Sequence, residues 1–250
     1  MYNRPNIFTM YNVTGWPIAL PNNTAFDGTK TTVLFIPGWY HSLQDQSYEQ
    51  LKDAYLKRVD VNYIFLDWEK CAQDRYLQTV STARVIAAQA IRFLKYLCRY
   101  HKAYPSKMHF IGIGIGVHIA SYIAKGLGGI KRITGLQPTS LLFDGYGKEV
   151  RLDIGDADFV EVGYTETLST INKGHVEYYF NGFLSQPGCK HQVGEKALQA
   201  LQEGHFNIIK ISLQEEVMQR TQLEFKTVLL ILAHHGGYKL INILQEDHSL

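Results

Sequence analysis

The stretch Met108-His109-Phe110-Ile111-Gly112-Ile113-Gly114-Ile115-Gly116-Val117-His118 decides how this chain is read. Met108 to Ile111 is a short apolar run of the buried-strand type, and His118 to Lys125 (HIASYIAK) opens a helical pattern. Between them, glycines at alternate positions make a sharp strand-to-helix turn. In its G-x-S-x-G form such a turn raises a nucleophilic side chain on strained backbone, and small flanking residues make room for it. The central residue here is Gly114. With no hydroxyl, thiol or carboxylate at its apex, the turn carries no group there that forms a covalent intermediate. A retained fold without its apex chemistry is the expectation.

Outward from that turn, the chain alternates strands and helices. Thr31 to Ile36 (TTVLFI) is a β-branched run ending at Pro37-Gly38, and Asn62 to Leu66 is a second strand closed by Asp67-Trp68. Gln46 to Lys57 places Tyr48, Leu51, Tyr55 and Leu56 at helical spacing. Leu77 to Tyr100 is the strongest helix: Val80, Ala83, Ala87, Ala90, Ile91, Leu94 and Leu97 fall on one stripe, without Gly or Pro. Ile130 to Leu136 is a further strand. This alternation predicts an α/β fold, a mostly parallel central sheet with helices on both faces. In such sheets ligands lie beyond the carboxyl ends of the strands. Pro37-Gly38-Trp39, Asp67-Trp68, Gly112 to Gly116 and Gln137-Pro138 all fall there, so the strand ends converge on one cleft. Residues 1–30 read as a lead-in, 31–219 as the domain and 220–250 as a diverged tail.

The 250 residues are 46% apolar, enough to bury a full core. The 25 basic and 23 acidic residues nearly cancel, to a net charge of +2, and the basic ones form no patch. Neither nucleic acid nor an anionic membrane surface is an expected partner. No run reaches the ~18 apolar residues of a membrane span. Three cysteines, Cys71, Cys98 and Cys189, leave at least one unpaired within the chain. The opening MYNRPNIFTMYN holds no apolar core of signal-peptide length, whereas the sequons at Asn12 and Asn22 point to glycosylation and an extracellular location. A dinucleotide loop at Gly112 to Gly116 is excluded, because Val117 stands where Gly or Ala is needed and Gln137-Pro138 where an acid is needed.

Several phrases occur in order and at regular intervals: Phe35-Ile36-Pro37-Gly38-Trp39, Asp67-Trp68, the Gly112 to His118 turn, Arg132-Ile133-Thr134-Gly135-Leu136-Gln137-Pro138, Val150-Arg151-Leu152-Asp153, Gly174-His175-Val176 and Gln186-Pro187-Gly188-Cys189. With them the chain, from Thr31 to about Cys189, resembles the pancreatic-lipase family of animal neutral lipases and phospholipases A1. The resemblance implies an α/β-hydrolase fold, a Ser–Asp–His triad and an oxyanion hole. Gly114 stands where the serine belongs. Gln137 stands where the family reads Gly-Leu-Asp-Pro, so the orienting carboxylate is replaced by an uncharged amide. The triad histidine matches either His205, with Glu215 following it, or His191, two residues after Cys189. Trp39 and Ile115 match the oxyanion-hole region. Arg151, Asp153 and Asp156 match a structural calcium turn, with the Arg151 carbonyl and two carboxylates as ligands; the alternative is that the carboxylates cap the turn or pair with Arg151. No other cofactor is implied.

Losing the serine or histidine of such a triad costs on the order of 10⁶ in kcat. A stand-in hydroxyl, Ser121 or Thr139, is the counter-reading; Ser121 lies on the helix beyond the turn. Between Val162 and His175 the chain is short, and Gly204 precedes His205 where a lid-closing cysteine is expected, which argues against a triglyceride lipase acting at an interface. Within the family the pattern is similar to insect yolk proteins, which share the fold and lack the nucleophile. The expectation is a secreted pseudoenzyme that binds or stores a lipid or another hydrophobic small molecule. Two alternatives stay open: an active carboxylic-ester hydrolase with an unrecognised nucleophile, and a regulatory partner of another protein such as an active lipase. Trp39, Tyr40 and Tyr76 are candidates for a ligand-facing aromatic wall, while Trp68 reads as core and His118 as structural.

Overall fold

Alternating apolar residues on Thr32–Ile36 (β2) send Leu34 and Ile36 to one side of a sheet and Val33 and Phe35 to the other, and all four are buried. A strand apolar on both faces needs cover on both, and the helices supply it. In the computed structural model, which describes residues 2–3, 19–20, 24–42, 44–165, 171–180 and 208–213, the other strands are Tyr2–Asn3 (β1), Asn62–Phe65 (β3), Met108–Ile113 (β4), Arg132–Leu136 (β5), Phe159–Tyr164 (β6), Val176–Phe180 (β7) and Ile208–Leu213 (β8). They form one sheet in the order β1-β3-β2-β4-β5-β6-β7-β8. Pairing is parallel from β3 through β7, and antiparallel where β1 joins β3 and where β8 joins β7. This is the α/β-hydrolase arrangement, with the lead-in supplying an edge strand.

Gln46–Arg58 (α1) covers one face. Asp45 caps it by accepting from the Ser47 N–H at 2.8 Å, and Leu51, Tyr55 and Leu56 pack on Val33, Phe35, Ile111 and Ile113. Tyr76–Tyr100 (α3) and Ile115–Leu127 (α4) cover the other face, preceded by the short Glu69–Ala72 (α2). The α3 stripe buries Thr79, Ala83, Ala87, Ala90, Leu94 and Leu97, while Val80 and Ile91 lie at its half-buried margins. Small residues at 83, 87 and 90 bring α3 close to α4, which is buried along most of its length. Burying Ile115, Val117, Ile119 and Ile123 of α4 contributes roughly 1.5–3 kcal/mol each before chain entropy is counted.

On the α1 face a polar network runs across the strands. Arg132 donates to both oxygens of Glu161 at 2.8–3.0 Å, and Thr134 also bonds Glu161. His109, wholly buried, spans Tyr55 Oη at 3.1 Å and Thr134 Oγ1 at 2.7 Å. Burial first, then the Arg132 charge, holds the His109 pKa well below its usual value, so the ring is neutral. Cys71 and Cys98 are free thiols, and Cys189 lies outside the described residues. Among the described residues no helix is long and apolar enough to cross a membrane. The 220–250 tail, with the expected edge strand at Phe225 to Leu232, also lies outside them.

Candidate functional site

At the carboxyl end of β4 the chain reverses into α4 through Gly114, whose φ of 56° and ψ of −117° lie in a region that residues with a side chain enter only under strain. Its N–H donates to the Leu136 carbonyl at 3.0 Å, and its own carbonyl accepts from Val117 at 3.3 Å and Thr139 at 3.4 Å. The elbow is therefore tied to the end of β5 on one side and to the first turn of α4 on the other. A β-carbon on Gly114 would meet only Thr139 Oγ1, at 3.4 Å. The apex has room for a side chain, at a cost in backbone strain, and carries none. Gly116 is small for a different reason: a β-carbon there would stand 2.3 Å from the Ile36 carbonyl oxygen and 2.6 Å from that of Pro37. That approach seats the start of α4 against the loop after β2, which bears Trp39. Ile115 is the first helical residue, where a backbone N–H has no intrahelical acceptor.

Helix α4 thus starts at Ile115, three residues before the helical pattern at His118, and β4 runs on to Ile113 rather than stopping at Ile111. The turn is Gly114 alone, because Gly112 continues the β4 ladder opposite Gly135 while Gly116 is already helical.

Gln137, at the end of β5, has a φ of 48°. Its N–H donates to the Gly163 carbonyl at 2.7 Å, and its side-chain Oε1 accepts from the Thr165 N–H at 2.6 Å and the Thr165 hydroxyl at 3.1 Å. An amide oxygen accepts these bonds as a carboxylate oxygen would. What it does not supply is the negative charge that stabilises an imidazolium. The two histidines matched to the triad, His205 and His191, lie outside the described residues, as do the sequon residues Asn12 and Asn22.

The aromatic residues separate by role. Trp68 is buried, its Nε1 donating to the Pro37 carbonyl at 3.1 Å, and belongs to the core. Trp39 is 40% and Tyr40 63% exposed, with ring centroids 4.6 Å apart; Trp39 also meets Tyr76 edge-on at 5.1 Å. Tyr76 donates to the Leu141 carbonyl at 2.7 Å, and Leu141 is itself exposed. Trp39 and Tyr40 on the loop after β2, Leu141 on the loop after β5 and Tyr76 at the start of α3 together form an apolar rim on the elbow's side of the sheet. His41 lies buried beneath, its Nδ1 donating to the Gly38 carbonyl at 3.0 Å, and burial lowers its pKa.

His118 is a structural residue. Its Nε2 donates to the Thr139 carbonyl at 2.8 Å, its Nδ1 accepts from the Leu152 N–H at 3.2 Å, and Phe143 stacks on the ring at 3.7 Å. Burial drives its pKa down to about 3. Ser121 is likewise engaged: its hydroxyl donates to the Arg151 carbonyl at 3.0 Å, and it is buried in the second turn of α4, away from the elbow apex.

Arg151, Asp153 and Asp156 come together on a turn that packs on α4. Asp153 caps the 3₁₀ turn Ile154–Asp156 by accepting from the Gly155 N–H at 3.2 Å, and lies 3.6 Å from the Arg151 guanidinium. Asp156 accepts from the Asp153 N–H at 3.0 Å and pairs with Lys125, 2.6 Å from its Nζ. That ammonium stands among the groups matched to calcium, so as they lie they do not fit a metal ion. Lys125 escapes a reading of the sequence because its partner is 31 positions away; the only local sign is its i, i+4 spacing from Ser121.

The chain matches the Lipase family over residues 13–213. It is 39% identical over 140 residues to human inactive pancreatic lipase-related protein 1, covering 52% of this chain and 30% of that protein. Identity to the dog protein of the same name is 31% over 199 residues, 74% of this chain and 43% of that one. To bovine phospholipase A1 member A it is 34% over 172 residues, 67% of this chain and 38% of that protein. The chain thus spans less than half the length of these curated relatives.

Proposed function

This chain belongs to the lipase family, with the pancreatic lipases, and on that premise we propose that it is a non-catalytic member that holds a lipid or other hydrophobic molecule at the former active-site cleft, outside the cell. One observation carries the reading. Gly114 keeps the strained elbow conformation and an open apex yet contributes no nucleophile, while Gln137 keeps the bonds of its position yet contributes no charge. The elbow turn is present without a side chain at its apex, which supports a binding role over a catalytic one. The rim of Trp39, Tyr40, Tyr76 and Leu141 offers apolar surface on the same side, and exposed apolar patches of this kind mark ligand or partner sites. A relative of the same family that is itself named inactive supports the reading.

Titration with a dansylated long-chain fatty acid tests it. Saturable binding is expected, with Trp39→Ala weakening it about tenfold, equivalent to about 1.4 kcal/mol. Absence of saturable binding, with no lipid found by native mass spectrometry of the purified protein, would remove the ligand from the account.

A second reading rests on Thr139, whose Oγ1 lies beside the vacated apex. In that reading its hydroxyl acts as the nucleophile of an ester hydrolase, and Thr139→Ala abolishes turnover.

A further inference from the structure

We infer that the Lys125 ammonium takes the place of a structural calcium, so that the Arg151–Asp156 turn is anchored to α4 without a metal. An ammonium has three N–H donors and no more. Three acceptor groups match them here: the Asp156 carboxylate, shared between its two oxygens at 2.6 and 2.7 Å, the Arg151 carbonyl at 3.0 Å and Ser121 Oγ at 2.5 Å. The Ser121 hydroxyl donates its own hydrogen to the same Arg151 carbonyl. These are hydrogen-bond distances around a nitrogen.

A calcium ion needs six to eight oxygens at about 2.3–2.6 Å. Of the three groups matched to one, the Arg151 carbonyl and Asp156 are held by Lys125, and Asp153 is turned to the Gly155 N–H and the Arg151 guanidinium. Charge balances as well. Lys125 and Arg151 together offset Asp153 and Asp156, so these four side chains sum to zero charge without a metal ion. Asp156 is almost wholly buried, so its carboxylate requires a partner, and Lys125 reaches it along the α4 surface with part of its side chain in solvent. The anchor also reaches the elbow helix, because Leu152, between Arg151 and Asp153, donates to His118.

This inference is independent of whether the cleft binds a ligand. Thermal denaturation of the whole chain in EDTA and in millimolar calcium tests it, alongside terbium luminescence sensitised by Tyr122, whose hydroxyl bonds the neighbouring Val150 carbonyl. The natural chain is expected to melt at the same temperature in both buffers and to give no sensitised emission. Lys125→Ala is expected to melt lower in EDTA, to regain about 3–8 °C in calcium, and to bind terbium. If the alanine variant does not fold, Lys125→Gln, which keeps an amide donor without the charge, is read in the same way. Calcium stabilisation of the natural chain overturns the inference. So does a folded Lys125 variant indifferent to both metals.

Discussion

Gly114 and Thr139 face each other across the elbow: the Thr139 N–H reaches the Gly114 carbonyl, and the threonine hydroxyl lies 3.4 Å from where a Gly114 β-carbon would stand. The space is open and the backbone is strained, which separates two kinds of glycine in one turn. Gly114→Ala should fold and lose about 1–3 kcal/mol, from a φ of 56° that alanine adopts at a cost. Gly116→Ala drives a β-carbon into two backbone carbonyls and should leave no stably folded protein. Thermal melts of the pair check this. Equal losses would mean that strain at Gly114 is not the distinguishing term.

Acid should destabilise the protein through its buried and half-buried histidines. The folded-state pKa of His118 is about 3, and those of His109, His41 and His175 are also lowered, chiefly by burial. With the native pKa below the unfolded value of 6.5, the unfolded state binds more protons under that pH. The stability is fully present above about pH 6.5 and declines as pH falls toward 3, by up to about 1.4 kcal/mol per pH unit for each fully buried histidine. Denaturant midpoints measured between pH 7 and 4 read the slope. His118→Gln, which can still donate to Thr139 and accept from Leu152, should flatten it; an unchanged slope would assign the effect to other groups.

The Arg132–Glu161 pair bridges adjacent strands with both side chains buried. Glu161→Gln leaves a buried guanidinium without its counter-charge and should cost about 3–5 kcal/mol. Replacing both, as Arg132→Met/Glu161→Leu, should recover much of that loss. Urea denaturation of the three proteins is the check, and a double variant no better than the single one would show that His109 and Thr134 depend on the pair.

Residues that act locally were legible in the sequence, and those that act across the fold were not. The α3 stripe places Ala83, Ala87, Ala90, Leu94 and Leu97 in the core as its period requires. Gly114 stands out because strand and helix patterns meet at it. The bounds of β4 and α4 were hidden, since Gly112 and Gly116 carry turn-like identities for reasons of close packing. Strands β6 and β7 (FVEVGY and VEYYF) carry Glu161 and Glu177 inward, against Arg132 and against Tyr179 and the Lys173 N–H, so their polar residues mask the alternation. That Gln137 accepts from Thr165, and that Lys125 reaches Asp156, depends on which loops the sheet order brings together.

Hydrolysis of short-chain esters and phospholipid by the purified protein, with fluorophosphonate labelling, tests the central claim most directly, run beside the Gly114→Ser/Gln137→Asp variant. The account predicts no turnover above background and no label on the natural chain, and label on the variant, whose elbow regains its hydroxyl in the retained geometry. Turnover by the natural chain that the label abolishes would contradict it, and the labelled peptide would name the hydroxyl responsible, Thr139 being the first to examine.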